Sequence, residues 1–147
     1  MAVPTEADWG EYQADLDQRY AHDLFAGRTN QEMRSHFREN VIERTSELRS
    51  MPEVPFQYYV LGFRDFVMAG EFDEFEAANA ANCFLVLVLE KLEIKPRFIL
   101  PVMPQLISAV RRVATNQASF DAIESIYGSF PEKLKRIEAL YATLGQP

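Results

Sequence analysis

Ala77-Ala78-Asn79-Ala80-Ala81-Asn82-Cys83, continued by Phe84-Leu85-Val86-Leu87-Val88-Leu89, is the stretch whose reading decides the fold. Its second half alternates Leu and Val and, taken alone, would suit a buried strand. The alanine-rich approach and the Glu90-Lys91-Leu92 exit extend the pattern in a helical sense, because alanine is the strongest helix former. The spacing predicts a helix from Phe72 to Glu93. A helix apolar all round is one enclosed by others, and its small first half lets a neighbouring backbone come close. This helix is expected at the centre of the molecule.

Working outward, nearly every segment has a helical period. A first helix is expected from about Glu6 to Phe25, capped by Thr5 with Asp8 three residues on, and stopped at Gly27. Trp9, Tyr12, Leu16, Tyr20 and Leu24 would share its inner face. A second, from about Gln31 to Arg49 with Asn30 as cap, carries Met33, Phe37, Val41 and Leu48, with Arg44 in the gap. Pro52 and Pro55 break the chain. A third helix, Phe56 to Ala69, ends at Gly70 and is apolar on more than one face. Beyond the central helix, Pro96, Pro101 and Pro104 punctuate an irregular element and a helix to about Ala114, striped by Leu106, Ile107, Val110 and Val113. Ser119 is expected to cap a short helix carrying Phe120, Ile123, Ile126 and Tyr127. Pro131 opens a last helix with Leu134, Ile137, Leu140, Tyr141 and Leu144 inward. There is no internal repeat and no hairpin signal. The sum is one all-α domain over residues 1–147, a bundle of six or seven helices around 72–93, with 1–4 and 145–147 frayed.

The chain is long enough, at 147 residues, for a core that needs no staples. One cysteine and two histidines exclude an internal disulfide, a polycysteine zinc site and a three-histidine site. The net charge of −7 is uneven: −4 over residues 1–50, −6 over 51–93 and +3 over 94–147. A nucleic-acid backbone needs a concentrated basic face, so no nucleic-acid partner is expected, although Arg111, Arg112, Lys133, Lys135 and Arg136 could gather in a small patch. The N-terminus lacks the basic and apolar parts of a secretory signal, and the longest apolar run, Phe84 to Leu89, is far short of a membrane span. The expectation is a soluble cytoplasmic protein without a membrane partner.

Catalytic and metal signatures are sparse. Neither His22 nor His36 has a carboxylate three residues before it, as a di-iron bundle requires, and no zincin motif occurs. Glu32, His36, Glu39 and Glu43 fall along one side of the second helix, as a solvated flank would. Asp15, Arg19 and His22 share a side of the first, with an ion pair between Asp15 and Arg19. No cofactor or metal is expected. Cys83 could act as a nucleophile only if a base lowered its pKa. Asn79 and Asn82 need partners if their helix is central, because an unpaired buried amide costs about 1–3 kcal/mol. Together with Glu76 they would either bond to neighbouring backbone or line a polar mouth at one end of the bundle.

Residues 56–75 hold seven aromatics, Phe56, Tyr58, Tyr59, Phe63, Phe66, Phe72 and Phe75, beside Glu71, Asp73, Glu74 and Glu76. Aromatics at helical spacing make core; rimmed by carboxylates, they also resemble an anchor patch for a cationic partner. The preferred reading is a non-enzymatic interaction protein (adaptor, inhibitor or immunity-type) that uses this acidic, aromatic-rich segment to bind a basic protein, with Tyr58, Tyr59, Phe63, Glu71, Asp73, Glu74, Glu76, Asn79 and Asn82 as binding residues. A second reading is a small-molecule binder with a pocket between Tyr58, Tyr59, Phe63 and the Asn79/Asn82 amides. A third is an enzyme built on Cys83. Self-association through the third helix, as a homodimer or a subunit of a larger assembly, is a further expectation.

Overall fold

The computed structural model describes residues 1–146. Among them there is no strand, and the fold is an all-α bundle. Its elements are 3-10 turns at Glu6–Trp9 and Tyr12–Ala14, α1 (Leu16–Phe25), α2 (Asn30–Glu39), α3 (Val41–Ser50), α4 (Glu53–Ala69), α5 (Ala77–Ile94), α6 (Pro96–Ile99), a 3-10 turn at Leu100–Val102, α7 (Met103–Ala114), a 3-10 turn at Gln117–Phe120, α8 (Glu124–Tyr127) and α9 (Phe130–Leu144). Seven of these helices have ten residues or more; α6 and α8 are single turns.

Helix α5 packs against α3, α4, α6, α7 and α9, so it is the hub of the bundle. Ala78, Ala80 and Ala81 let neighbours approach, and Phe84, Leu85, Leu87, Val88 and Leu92 are buried below them. The core runs from Trp9 to Ile137 through Phe25, Phe37, Phe56 and Tyr59. At the ends, Val3 packs on this core and Pro4 is buried, Gly145 and Gln146 are exposed, and Pro147 lies outside the described residues.

Several boundaries differ from those read in the sequence, each for a local reason. The expected first helix is three pieces. Gly10, at φ 60, interrupts the chain after the Thr5 capping box. Asp15 does not pair with Arg19; its carboxylate caps α1 by accepting from the Gln18 N–H at 3.0 Å. The inward face shifts accordingly to Ala21 and Phe25, leaving Leu16 and Tyr20 exposed. The expected second helix is capped by Thr29 and breaks at Asn40, whose side-chain oxygen accepts from the Glu43 N–H and starts α3. The break preserves the buried stripe of Met33, Phe37, Val41 and Leu48. Between α4 and α5, Gly70 adopts the left-handed conformation that ends α4, and α5 begins only at Ala77.

Lys91 is the buried charge in this core, 4% exposed. Its ammonium donates to the Arg49 carbonyl at the end of α3 (2.8 Å) and lies over the rings of Phe56 and Phe98. Burial, helped by Lys95 and Arg49 and opposed by Glu90, lowers its pKa to about 8 from an ordinary 10.5. The unfolded chain thus holds a proton that the native chain gives up between pH 8 and pH 10.5, and stability rises with pH in that window. Burial acts oppositely on Tyr59, raising its pKa well above the ordinary 10.0. Above that value the unfolded chain loses the phenolic proton first, and stability falls. Urea unfolding at a series of pH values should show a maximum between these limits, and Lys91→Met should flatten the rising limb. Burial also lowers the Lys133 pKa, which leaves a smaller rise in Lys91→Met; a rising limb undiminished in that variant would contradict the assignment.

Candidate functional site

The aromatic segment lies inside. Tyr59 is fully buried, its hydroxyl shared between the carbonyls of Phe25 (2.6 Å) and Arg28 (2.8 Å). The Tyr58 hydroxyl accepts from the Asn30 N–H at 3.1 Å, and its carbonyl accepts from Asn30 Nδ2 at 2.9 Å. Phe63 stacks on Phe37 and meets Phe84 edge-on. Phe63 builds the α2–α4–α5 interior, Tyr59 packs on Trp9 and Phe25 between α4 and the N-terminal segment, and Tyr58 joins α4 to α2, so the three side chains form core rather than a surface.

The two amides differ. Asn79 Nδ2 donates to Glu76 Oε2 at 3.2 Å, and Asn79 Oδ1 accepts from the Tyr127 hydroxyl at 3.1 Å. Asn79 is paired, as expected of a central helix, and joins Glu76 at one end of the bundle. Asn82 Oδ1 is buried with no hydrogen-bond partner among the described residues. The Tyr58 and Asn79 ends of the expected small-molecule pocket are therefore engaged separately, by Asn30 and by Tyr127.

Residues 71–76 form the turn into α5. Arg38 holds its start, donating from Nε to the Glu71 carbonyl (3.0 Å) and from Nη2 to Glu71 Oε2 (3.3 Å). Phe72 turns inward onto Phe66 and Phe120. Phe75 turns outward, 87% exposed, with φ 68. Only Phe75 and Asp121 among the described non-glycine residues have positive φ, a conformation costing about 1 kcal/mol or more.

Asp121 belongs to a second loop on the same end. One amide organises it: Gln117 Nε2 donates to the carbonyls of Ala122 and Gly128, each at 2.8 Å, and Gln117 Oε1 accepts from the Phe130 N–H. The left-handed Asp121 stops the helix expected from Ser119, so Ile123 and Ile126 do not turn inward. They are 60% and 69% exposed, while Ala122 is buried in their place. Tyr127, through Asn79, ties this loop to the 71–76 turn.

The two loops face each other across a groove of about 390 Å³. Ala77 and Ala78 form its floor, and Phe75, Ile123, Ile126 and Tyr127 its walls. Glu74 and Asp121 stand on the rim, and Glu124 lines the adjoining depression with Asp121 and Ile123. Among the described residues, no basic side chain is within ion-pair distance of Asp73, Glu74, Asp121 or Glu124. Lys133, below the second loop, donates inward to the Tyr127 carbonyl and lies over Phe130.

Other candidate constellations are arranged differently. The Glu32–His36–Glu39–Glu43 row is split by Asn40. His36 Nε2 meets Arg28 Nη1 at 2.6 Å, which makes that nitrogen the acceptor, and Glu32 closes the Thr29 capping box. His22 Nε2 meets Glu6 Oε2 at 2.8 Å, its ring stacked on Tyr12; the imidazole and then the phenol hold the Glu6 carboxyl below its usual range. Among the described residues no three His, Cys, Asp or Glu side chains gather where a metal could be held. Burial pushes the Cys83 thiol up, with Thr45, Arg49 and Glu76 as its weaker influences. Three basic residues of the C-terminal third are ion-paired: Arg111 with Glu138, Arg136 with Glu93 and Lys135 with Glu132. No helix among the described residues is long and apolar enough to cross a membrane.

Comparison with protein-family models, curated proteins and solved structures gave no significant match to the chain.

Proposed function

We propose that the chain is a non-enzymatic protein-docking module, and that it binds basic partners through the paired loops 71–78 and 120–127. The observation that carries this reading is that Phe75, Ile123 and Ile126 stand exposed together around one groove, in a protein whose other large aromatics are mostly interior. Clustered exposed apolar side chains with a polar rim are the form an interaction site takes. The unpaired carboxylates of Asp73, Glu74, Asp121 and Glu124 give the surface its sign and speed capture of a cationic partner. Of the acidic residues read from the sequence, Asp73 and Glu74 keep that role. Glu71 and Glu76 instead anchor the turn through Arg38 and Asn79.

A raised thiol at Cys83 and histidines engaged by Glu6 and Arg28 favour this reading over nucleophilic catalysis. The groove between α1 and α3, lined by Asp17, Tyr20, Glu43 and Glu47, is more charged in its walls and is the weaker docking candidate.

Selection of random displayed peptides against the native chain tests the proposal. Peptides that combine Lys or Arg with bulky apolar residues should be enriched. Ile126→Glu, a change at an exposed position, should weaken their binding by about tenfold or more while leaving the thermal midpoint in place. Failure to enrich such peptides, or equal binding by Ile126→Glu, rejects the reading.

A further inference from the structure

We infer that the groove between the two loops is an anchor site for one bulky apolar side chain of the partner, inserted between Phe75 and Ile126 onto Ala77 and Ala78, with basic residues on either side of it reaching Glu74 and Asp121. This rests on the docking reading and assigns it a geometry. The groove, about 390 Å³ and open on one side, has room for a Trp, Phe or Leu side chain together with part of the segment that carries it. Its floor is two alanines at the start of α5, one half-buried and one buried, so depth is gained by the shortness of their side chains.

The walls are held from behind. Asn79 joins Glu76 of the first loop to Tyr127 of the second, and Gln117 fixes the second loop at three backbone points. A site whose loops are already tied loses little ordering entropy on binding. Charge selects the flanks. Glu74 and Asp121 stand on opposite loops with no ion partner among the described residues, so a segment with cations before and after its anchor satisfies both. A second copy of this chain would bring the same carboxylates against these and is disfavoured by that repulsion.

The test is titration of the isotope-labelled chain, followed by amide shifts, with the peptide Lys-Lys-Ala-Trp-Ala-Lys-Lys. Two control peptides replace the Trp by Ala, or all four Lys by Glu. Shifts should concentrate at residues 74–78 and 120–127, and both controls should bind about tenfold more weakly. Ala77→Leu, which fills the floor, should weaken the Trp peptide by a similar factor with an unchanged thermal midpoint. Ile126→Glu should abolish binding. If Ile126→Glu abolishes binding but Ala77→Leu does not, the anchor is wrong and the docking surface stands. If neither variant matters, or no shifts appear at these loops, both readings fail. A concentration-dependent dimer that Ile126→Glu dissolves would assign the groove to a second copy and overturn the inference.

Discussion

Replacing Phe63 with alanine is expected to lower the unfolding free energy by about 3–5 kcal/mol, a large share of the roughly 5–15 kcal/mol that holds a domain together. Phe63 is fully buried. Its ring lies parallel to Phe37 at 5.1 Å between centroids and edge-on to Phe84 at 5.7 Å, so α2, α4 and α5 all lose contact when it is cut back. The neighbours belong to two other helices and cannot both close on the space, which is why the cavity cost adds to the transfer cost. Urea unfolding reads the loss directly. An unchanged midpoint would return Phe63 to the surface and revive the aromatic-patch reading of residues 56–75.

The second large effect is at Gly62, where alanine should destabilise by about 1–3 kcal/mol instead of gaining the ~1 kcal/mol expected in an open helix. A Cβ there would stand 2.2 Å from Asn30 Oδ1, 2.4 Å from its Cγ and 2.8 Å from its Cβ. Asn30 is not free to swing away. It is the first residue of α2, its N–H donates to the Tyr58 hydroxyl, and its amide donates to the Tyr58 carbonyl. The close approach of α2 to α4 therefore depends on the missing side chain. Asn30→Gly removes the three clashing atoms, so the double variant should recover much of the loss, a non-additivity measurable in a thermodynamic cycle. A Gly62→Ala chain more stable than the native one would contradict that approach.

The bundle was legible because burial leaves a strong periodic signal. The apolar run after Cys83 and the Met33–Phe37–Val41–Leu48 stripe both pointed to the interior they occupy. The breaks were less legible. In the sequence Asp15 reads as the partner of Arg19, and the helix through Asn40 as continuous; such side chains serve equally well as caps, and only the tertiary course of the chain selects that role. Of the expected binding residues, Tyr58, Tyr59 and Phe63 have a spacing that favours core but leaves a patch open, since aromatic spacing on a helix does not reveal whether both faces are covered. Asn79 reads in the sequence as bonded to neighbouring backbone or, with Glu76, as lining a polar mouth; its partner Tyr127 lies too far along the chain to be inferred.

The sequence places Ile123 and Ile126 on a short helix running from Ser119, because their three-residue spacing fits one. A left-handed Asp121 shortens that helix to one turn, and a single turn has no inward face to keep. The available signal was the closeness of Asp121 and Gly128, two residues tolerant of positive φ, on either side of the pair. Phe75 had no such signal; its outward turn follows from how Phe72 packs on Phe66 and Phe120.

Paramagnetic broadening of side-chain resonances by a soluble nitroxide tests most directly where this molecule keeps its apolar groups. Phe75, Ile123 and Ile126 should broaden strongly, and Tyr58, Tyr59 and Phe63 should be protected. Protection of Phe75 and the two isoleucines, or broadening of the α4 aromatics, would contradict both the packing around α5 and the docking surface built on it.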